Sequence, residues 1–398
     1  MTKAFDGIRV IDTTHVLAGP FASYQMAVLG AEVIKVEAPH DPDQARWQGS
    51  DRALSDVGMG TAFMAQASNK KTLAVDLKTE MGRDALKRLI ATADVFVENY
   101  RPGAFEDLGL GYDAMAKLNP SLVYCSISAF GATGPRAHLT GYDNILQAFS
   151  GMMAMTGHPD DPRPLKTGAP VVDYATGTTA AFAITSALLQ RERSGGKGQF
   201  VDVSMLEVAL ILTSSHLTGF KWNGKHPEPK GNTFPFATIG CYEASDAPMM
   251  IAASNLAQQE RLWTALGRPD MVKMDNNQRL DAHAEEQAAL AAIIATNTAD
   301  YWETFLQQRR IPAARIRRLE EALADDQVST RQVLHTHAAP GSVADGLTVP
   351  VLPFHMSDSP SEVTLPPQPV GAQTAEILAE LGYDADQIAA MRSAGCIN

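Results

Sequence analysis

Asp173 follows an apolar run and opens a helical pattern, in Gly168-Ala169-Pro170-Val171-Val172-Asp173-Tyr174-Ala175-Thr176-Gly177. Two chemistries fit that placement. Aspartate is a favoured helix N-cap, contributing about 1 kcal/mol by accepting backbone N–H bonds. A carboxylate kept partly from water by Val171, Val172 and small neighbours is also suited to act as a nucleophile that becomes covalently acylated. Spacing alone favours the cap, and one residue can do both. Upstream, His138 precedes Leu139-Thr140-Gly141-Tyr142-Asp143-Asn144. His138 or Tyr142 could serve as a proton donor to a reacting group, or be an ordinary polar residue at a loop end.

Other segments suit binding more than bond-making. His15-Val16-Leu17-Ala18-Gly19-Pro20 lacks the GxGxxG fingerprint of dinucleotide sites. Its small residues would let a phosphate or a pantetheine chain pass close to the backbone at a helix N-terminus. On the residues alone a tight turn with no ligand is favoured. Asn69-Lys70-Lys71 and Asn99-Tyr100-Arg101-Pro102-Gly103 place amides, cations and an aromatic ring at strand edges. In a doubly wound sheet such edges line the ligand crevice, where Arg and Lys hold phosphates and Tyr stacks on a base. Solvated surface charge is the alternative.

The elements that must carry these residues alternate. Gly7 to Asp12 reads as a strand, Phe21 to Leu29 as a helix stopped by Gly30, and Ala31 to Glu37 as a second strand, which together make a βαβ unit. Thr72 to Leu77, Val95 to Glu98 and Leu122 to Ile127 read as further strands, with a helix over Thr79 to Ala93. This order predicts an α/β fold with an open parallel sheet and helices on both faces. A helix over Tyr174 to Gln190, a strand over Phe200 to Val203 and a helix from Met205 towards Thr218 follow. Lys221 to Asn232 is polar and rich in Gly and Pro, as a linker is. Thr238 to Ser254 reads as a hairpin, followed by helices to about Gln308 and then by an extended Pro- and Ser-rich stretch over 339–370. The last helix is predicted over Ala372 to Leu381. The domains predicted are 1–220, a smaller α+β domain over 221–330, and a return segment over 331–398.

Composition narrows the partners. A chain of 398 residues is long enough for about two domains, and a net charge of -12 argues against nucleic acid or an anionic membrane. A local basic pocket for a small anion remains compatible with it. Cys125, Cys241 and Cys396 are scattered and lack metal-ligand spacing, so no metal is expected. No apolar signal core or membrane-length run is present, and the expected location is the cytoplasm.

Taken in order, several strings carry a resemblance. They are Phe5-Asp6-Gly7-Ile8-Arg9-Val10-Ile11-Asp12, Ala18-Gly19-Pro20, Leu29-Gly30-Ala31-Glu32-Val33-Ile34-Lys35-Val36-Glu37, Asn69-Lys70-Lys71, Val97 to Gly103, Ser128-Ala129-Phe130-Gly131 and Arg193 to Gln199. The chain resembles the class III CoA-transferases of the CaiB–BaiF superfamily. That group includes formyl-CoA transferase, carnitine CoA-transferase and the divergent α-methylacyl-CoA racemases. The resemblance implies a Rossmann-like large domain built from both chain ends, a small domain between them, and a homodimer of two interlinked ring-shaped subunits. It also implies coenzyme A and acyl-CoA as substrates with small carboxylic acids, and no permanently bound cofactor.

The family's catalytic aspartate falls on Asp173. Its carboxylate would attack the donor thioester to give a mixed anhydride, and CoA thiolate would then convert this to an aspartyl-CoA thioester. Both species are activated, so the bond's free energy is retained. Backbone N–H groups near Ala18 and at the helix start near Asp173 are expected to stabilise the oxyanions. Family contacts to CoA fall on Leu17, Ala18, Ala38, Val75 to Lys78 and Asn99 to Arg101, and Tyr142 falls on an active-site tyrosine. The strand-edge reading adds Val16, Asn69 and Lys71 to the CoA contacts. This chain departs from the formyl-CoA transferases in having Leu17 for their glutamine, Ala38 for their CoA-binding arginine, and Gly231-Asn232-Thr233-Phe234 where they have a run of glycines. Oxalate and formate are therefore disfavoured as substrates. Succinyl-CoA, used by several family members, is the donor expected; Arg136, His138, Arg163 and Lys166 could pair a distal carboxylate, though solvated surface is the favoured role for each. A racemase would need a histidine where Gly141-Tyr142-Asp143 stands, and a phenol is a poor base at neutral pH. A non-catalytic CoA-binding protein is the other alternative.

Overall fold

The computed structural model describes residues 2–161 and 163–398, and its contacts divide the chain into two units. The first comprises Met1–Met152, Lys166–Lys225 and Arg331–Asn398; the second comprises Met153–Leu165 and His226–Thr330.

The first unit is built on a six-stranded parallel sheet. Its strands are β1 (Arg9–Asp12), β2 (Glu32–Glu37), β3 (Lys70–Ala74), β4 (Val95–Glu98), β5 (Val123–Ser128) and β6 (Phe200–Ser204). The spatial order is β3-β2-β1-β4-β5-β6. This is the doubly wound order, in which the chain reverses direction between β1 and β4 and opens a crevice at the strands' C-terminal ends. The helices that bear on the site are α1 (Ala18–Val28), α2 (Glu80–Ala91), α3 (Asp143–Phe149), α4 (Val171–Arg193), α5 (Met205–Leu212) and α6 (Ser214–Asn223).

The near-continuous apolar strands split by their period of two onto two faces. Val10, Val95, Val97, Val123, Cys125 and Ile127 meet α1 and α4 through Ala22, Met26, Ala180 and Ile184. Ile11, Ile34, Leu73, Phe96 and Tyr124 meet Leu86, Leu89 and Ile90 of α2, together with Ile377, Leu378 and Ile397 from the C-terminal segment. Each large aliphatic side chain fully buried here contributes about 1.5–3 kcal/mol. α1 and α4 touch through Gly177, where a Cβ would lie 2.6 Å from the Ala18 carbonyl oxygen. Only glycine permits that approach, and it sets the N-terminal turns of the two helices side by side.

Several elements differ from those read in the sequence: α1 begins at Ala18 and not at Phe21, and a further helix, Ala385–Ser393, follows the one expected to be the last. β3 begins at Lys70 and ends at Ala74, while Thr72 to Leu77 was expected. α4 begins at Val171, one turn ahead of the expected Tyr174, because a partner outside the local sequence caps it.

The second unit holds an antiparallel sheet of Ile239–Glu243, Pro248–Ala252 and Ala313–Arg315. It is covered by helices that bury Trp263, Leu290, Ile294 and Trp302. The Trp302 indole N–H donates to the Ile294 carbonyl at 2.7 Å, satisfying its only polar atom inside that core.

Candidate active site

The turn between β1 and α1 is fixed from beneath by buried charge. Asp12 closes β1, and its Oδ2 accepts from Lys70 Nζ at 3.0 Å and from Ser23 Oγ at 2.6 Å. Burial alone would push the Asp12 carboxyl up, but Lys70, Lys35 and the two hydroxyls of Ser23 and Thr14 hold it far below the usual carboxylate range. Lys70, also fully buried, is brought down to about 8 by burial, which outweighs the pull of Asp12. A second pair, Lys35 with Asp43, is equally buried at 3.1 Å. Such pairs add little net stability, yet losing one partner strands a buried charge. Their effect here is to fix the shape of the turn.

Within the turn, His15 Nε2 lies 2.6 Å from the Tyr100 hydroxyl. Asn99 clamps the His15 backbone on both sides, accepting its N–H and donating to its carbonyl, each at 2.8 Å. Burial, then Lys35, lowers the His15 pKa, so the imidazole is neutral at pH 7.

Asp173 is not the cap of its helix. Pro170 occupies the N-cap position and Asp173 sits within the first turn, 8% exposed. The cap comes from α3, where Asp143 Oδ2 accepts the N–H of Val172 at 2.8 Å and that of Asp173 at 3.3 Å. Asp143 is in turn held by Gln147, whose amide donates to Oδ1 at 2.5 Å and whose carbonyl accepts the Thr167 N–H at 3.0 Å. The Asp173 carboxyl is thus spared the capping role. Burial first, and the Asp143 charge second, raise its pKa to about 7. A carboxylate so poised is half-ionised near neutrality and poorly solvated, as a carboxylate nucleophile should be.

Asp143 also changes the expected set of oxyanion donors. The first N–H groups of α4 all have partners: Val171 bonds the Ala169 carbonyl, Tyr174 the Pro170 carbonyl, and Val172 and Asp173 the Asp143 carboxylate. By contrast, α1 has no side-chain cap, and no bond from the N–H of Leu17, Ala18 or Gly19 is found among the described residues. The free donors therefore stand at Leu17–Gly19 and not at the start of α4.

These groups border a cavity of about 480 Å³ at the C-terminal ends of the strands. Lys78 follows β3, Ala38 follows β2, Leu17 and Ala18 follow β1, Asn99 to Arg101 follow β4, and Ser128 and Ala129 lie at the end of β5. From β3 to β5 is four inter-strand spacings of ~4.8 Å, roughly 19 Å, which suits an elongated ligand. The cavity brings together Val16, Leu17, Ala18, Ala38, Val75, Lys78, Asn99, Tyr100, Arg101, Tyr142 and Asp173 from the residues expected at the site. Arg101 is more than half exposed and meets Asp107 at 2.8 Å.

Asn69, Lys70 and Lys71 are not among the lining residues. They stand at the N-terminal end of β3, whereas the crevice opens at the other end. Asn69 ties down the C-terminal segment, accepting from the N–H of Thr364 at 2.8 Å and of Leu365 at 3.0 Å and donating to the Glu362 carbonyl at 2.7 Å. Lys71 pairs with Glu32 at 3.4 Å and Glu376 at 3.3 Å.

A family model described as CoA-transferase family III matches residues 5–374. The chain belongs to CoA-transferase family III. This family III CoA-transferase is 35% identical over 386 residues to the succinate–glutarate CoA-transferase of Agrobacterium fabrum, an alignment covering 94% of this chain and 95% of that relative. It is 34% identical over 407 residues to the succinyl-CoA:glutarate CoA-transferase of Mus musculus, covering 99% and 90% respectively. The crystal structure of a CaiB/BaiF family protein from Brucella suis superposes with a TM-score of 0.82 at 31% identity, covering 96% of this chain and all of that one. This CoA-transferase therefore moves coenzyme A between an acyl-CoA and a carboxylic acid. Among its described residues no helix is long and apolar enough to cross a membrane.

Sequence reasoning missed the contributions of Asp143, Asp43 and Gln66. Asp143 and Asp173 are joined across 30 positions by a contact that no local pattern encodes. Asp43 lies in a short Pro- and Asp-rich loop with no distinguishing motif.

Proposed function

We propose that the enzyme transfers CoA through covalent acylation of Asp173. The observation that carries this reading is a buried carboxyl on the cavity wall, released from capping and held near neutrality. The carboxylate oxygen attacks the thioester carbonyl, the carbonyl electrons collapse back to expel CoA thiolate, and a mixed anhydride of Asp173 and the donor acid remains. The thiolate attacks the aspartyl carbonyl and expels the donor carboxylate, leaving an aspartyl-CoA thioester. The acceptor carboxylate reverses both steps, with no net proton and no external reagent. In this reading the free N–H groups of Leu17 and Ala18 meet the oxyanion of each tetrahedral intermediate, and Tyr142 on the wall is a further donor.

The names of the Agrobacterium and mouse relatives favour a succinyl-CoA donor and a dicarboxylic acceptor. Lys78 and Arg101 are the cations suited to CoA phosphates. The exposed apolar side chains of Phe182 on α4, Ile211 on α5 and Trp222 on α6 support a homodimer. Replacing Asp173 by Asn keeps the size and removes the anionic oxygen, so it should abolish transfer in a folded protein. Hydroxylamine trapping during turnover should label the Asp173 peptide of the unaltered enzyme. A fully active Asn variant, or a label on a different carboxylate, refutes the mechanism.

A further inference from the structure

Val16 has φ +68, a left-handed conformation that a β-branched residue adopts only when its surroundings impose it. The surroundings are explicit. From Thr14 to Val16 every backbone polar group is taken by a side chain from another part of the fold or by Asp12. The Thr14 N–H bonds Asp12 and its carbonyl bonds Lys35. Both His15 groups bond Asn99. The Val16 N–H donates to Asp43 Oδ1 at 2.9 Å, and its carbonyl accepts from Gln66 Nε2 at 2.7 Å. Complete satisfaction ends there, for among the described residues the next N–H groups, those of Leu17, Ala18 and Gly19, have no partner.

Gln66 is 97% buried, and among the described residues its Oε1 has no hydrogen-bond partner. A buried amide that leaves its acceptor unused and spends its donor on one carbonyl acts through that donor. Asp43, for its part, is anchored by the Ala45 N–H at 3.0 Å and by Lys35.

We propose that Gln66 and Asp43 are positioning residues of the transfer reaction. By holding the carbonyl and the N–H of Val16, they impose the left-handed turn that sets the free N–H groups of Leu17 and Ala18 on the cavity wall. The inference rests on the reading of those groups as oxyanion donors and names the side chains that aim them. A misaimed donor weakens the transition state more than the ground state, so its cost falls on kcat.

Gln66 gives the cleaner test. Changing Asp43 would leave Lys35 buried without its partner, whereas Gln66 is neutral and Gln66→Met keeps nearly the same volume without the donor. The expected result is a kcat lower by about tenfold or more, with the KM for acyl-CoA and the melting temperature little changed. Glycine adopts positive φ unaided, so the double variant Gln66→Met/Val16→Gly should recover most of the lost kcat. An undiminished kcat in Gln66→Met overturns the proposal. So does a loss that merely tracks the unfolded fraction, or one that Val16→Gly leaves untouched. Single-turnover labelling of Asp173 separates this from the mechanism itself. If the unaltered enzyme never labels, the acylation reading fails; if it labels and Gln66→Met labels equally fast, only the positioning role fails.

Discussion

Asp143 caps the helix that carries Asp173, its Oδ2 accepting the N–H of Asp173 itself at 3.3 Å and that of Val172 at 2.8 Å. Two carboxylates are thereby brought close, one bound to backbone amides and the other without a hydrogen-bonding partner among the described residues. The first raises the cost of ionising the second.

That relationship makes activity depend on pH with a definite sign. In the proposed mechanism Asp173 works ionised, and burial followed by Asp143 raises its pKa to about 7. Transfer should climb as pH rises through about 7 and level off above it. Between the ordinary aspartate value of about 4 and 7 the folded protein binds this proton more tightly than the unfolded chain, so stability should fall as pH rises through that window. Asp143→Asn keeps an oxygen that can accept an amide N–H but removes the second cause of the shift. Its pH–rate midpoint should move to lower pH and stay above the ordinary range, since burial remains. A midpoint unchanged from the unaltered enzyme would show that Asp143 acts through capping alone.

Lys78 and Arg101 stand after β3 and β4, at the edge of a cavity in a protein of net charge -12. Arg101→Ala should weaken CoA binding by about 1.5–3 kcal/mol, the range for a lost charge-assisted hydrogen bond. The loss should shrink with added salt, because Arg101 is largely exposed. Calorimetry with CoA and with dephospho-CoA checks this; equal affinities for the unaltered enzyme and the variant assign Arg101 to its ion pair with Asp107.

Trp222 is 90% exposed, and Ile211 and Phe182 are more than 70% exposed, on the helix that carries Asp173 and the two that follow it. An apolar set of that size calls for a partner surface. The homodimer proposed above predicts that light scattering at micromolar concentration returns about twice the mass of one chain. Trp222→Glu should lower it towards that of a single chain. A monomeric mass for the unaltered protein contradicts the proposal.

The layout was legible in the residues alone. Short apolar strands alternating with helices dictate a parallel sheet, because each crossover must cover a face. The ordered strings from Phe5 to Gln199 indicated the family, and the turn residues Val16 to Ala18 and Asn99 to Arg101 were legible as wall positions because they follow β1 and β4. The strand-edge reading failed for Asn69 to Lys71, where an edge was recognised but not which end of β3 it formed.

The pairing of charges and backbone amides across the fold came from contacts between distant segments. Asp173 was expected to cap its own helix. Folding delivers Asp143 from α3 to do so, which frees the Asp173 carboxyl and at the same time occupies the amides that were expected to serve as oxyanion donors. Lys70, expected to meet phosphate, is drawn under the turn by Asp12. Gln66 and Asp43, silent in the sequence, close on Val16 from separate loops. Patterning reports which side of an element is apolar, a property summed over many residues. The partner of one buried polar atom depends on contacts between segments distant in the chain, and those exist only once the sheet has formed.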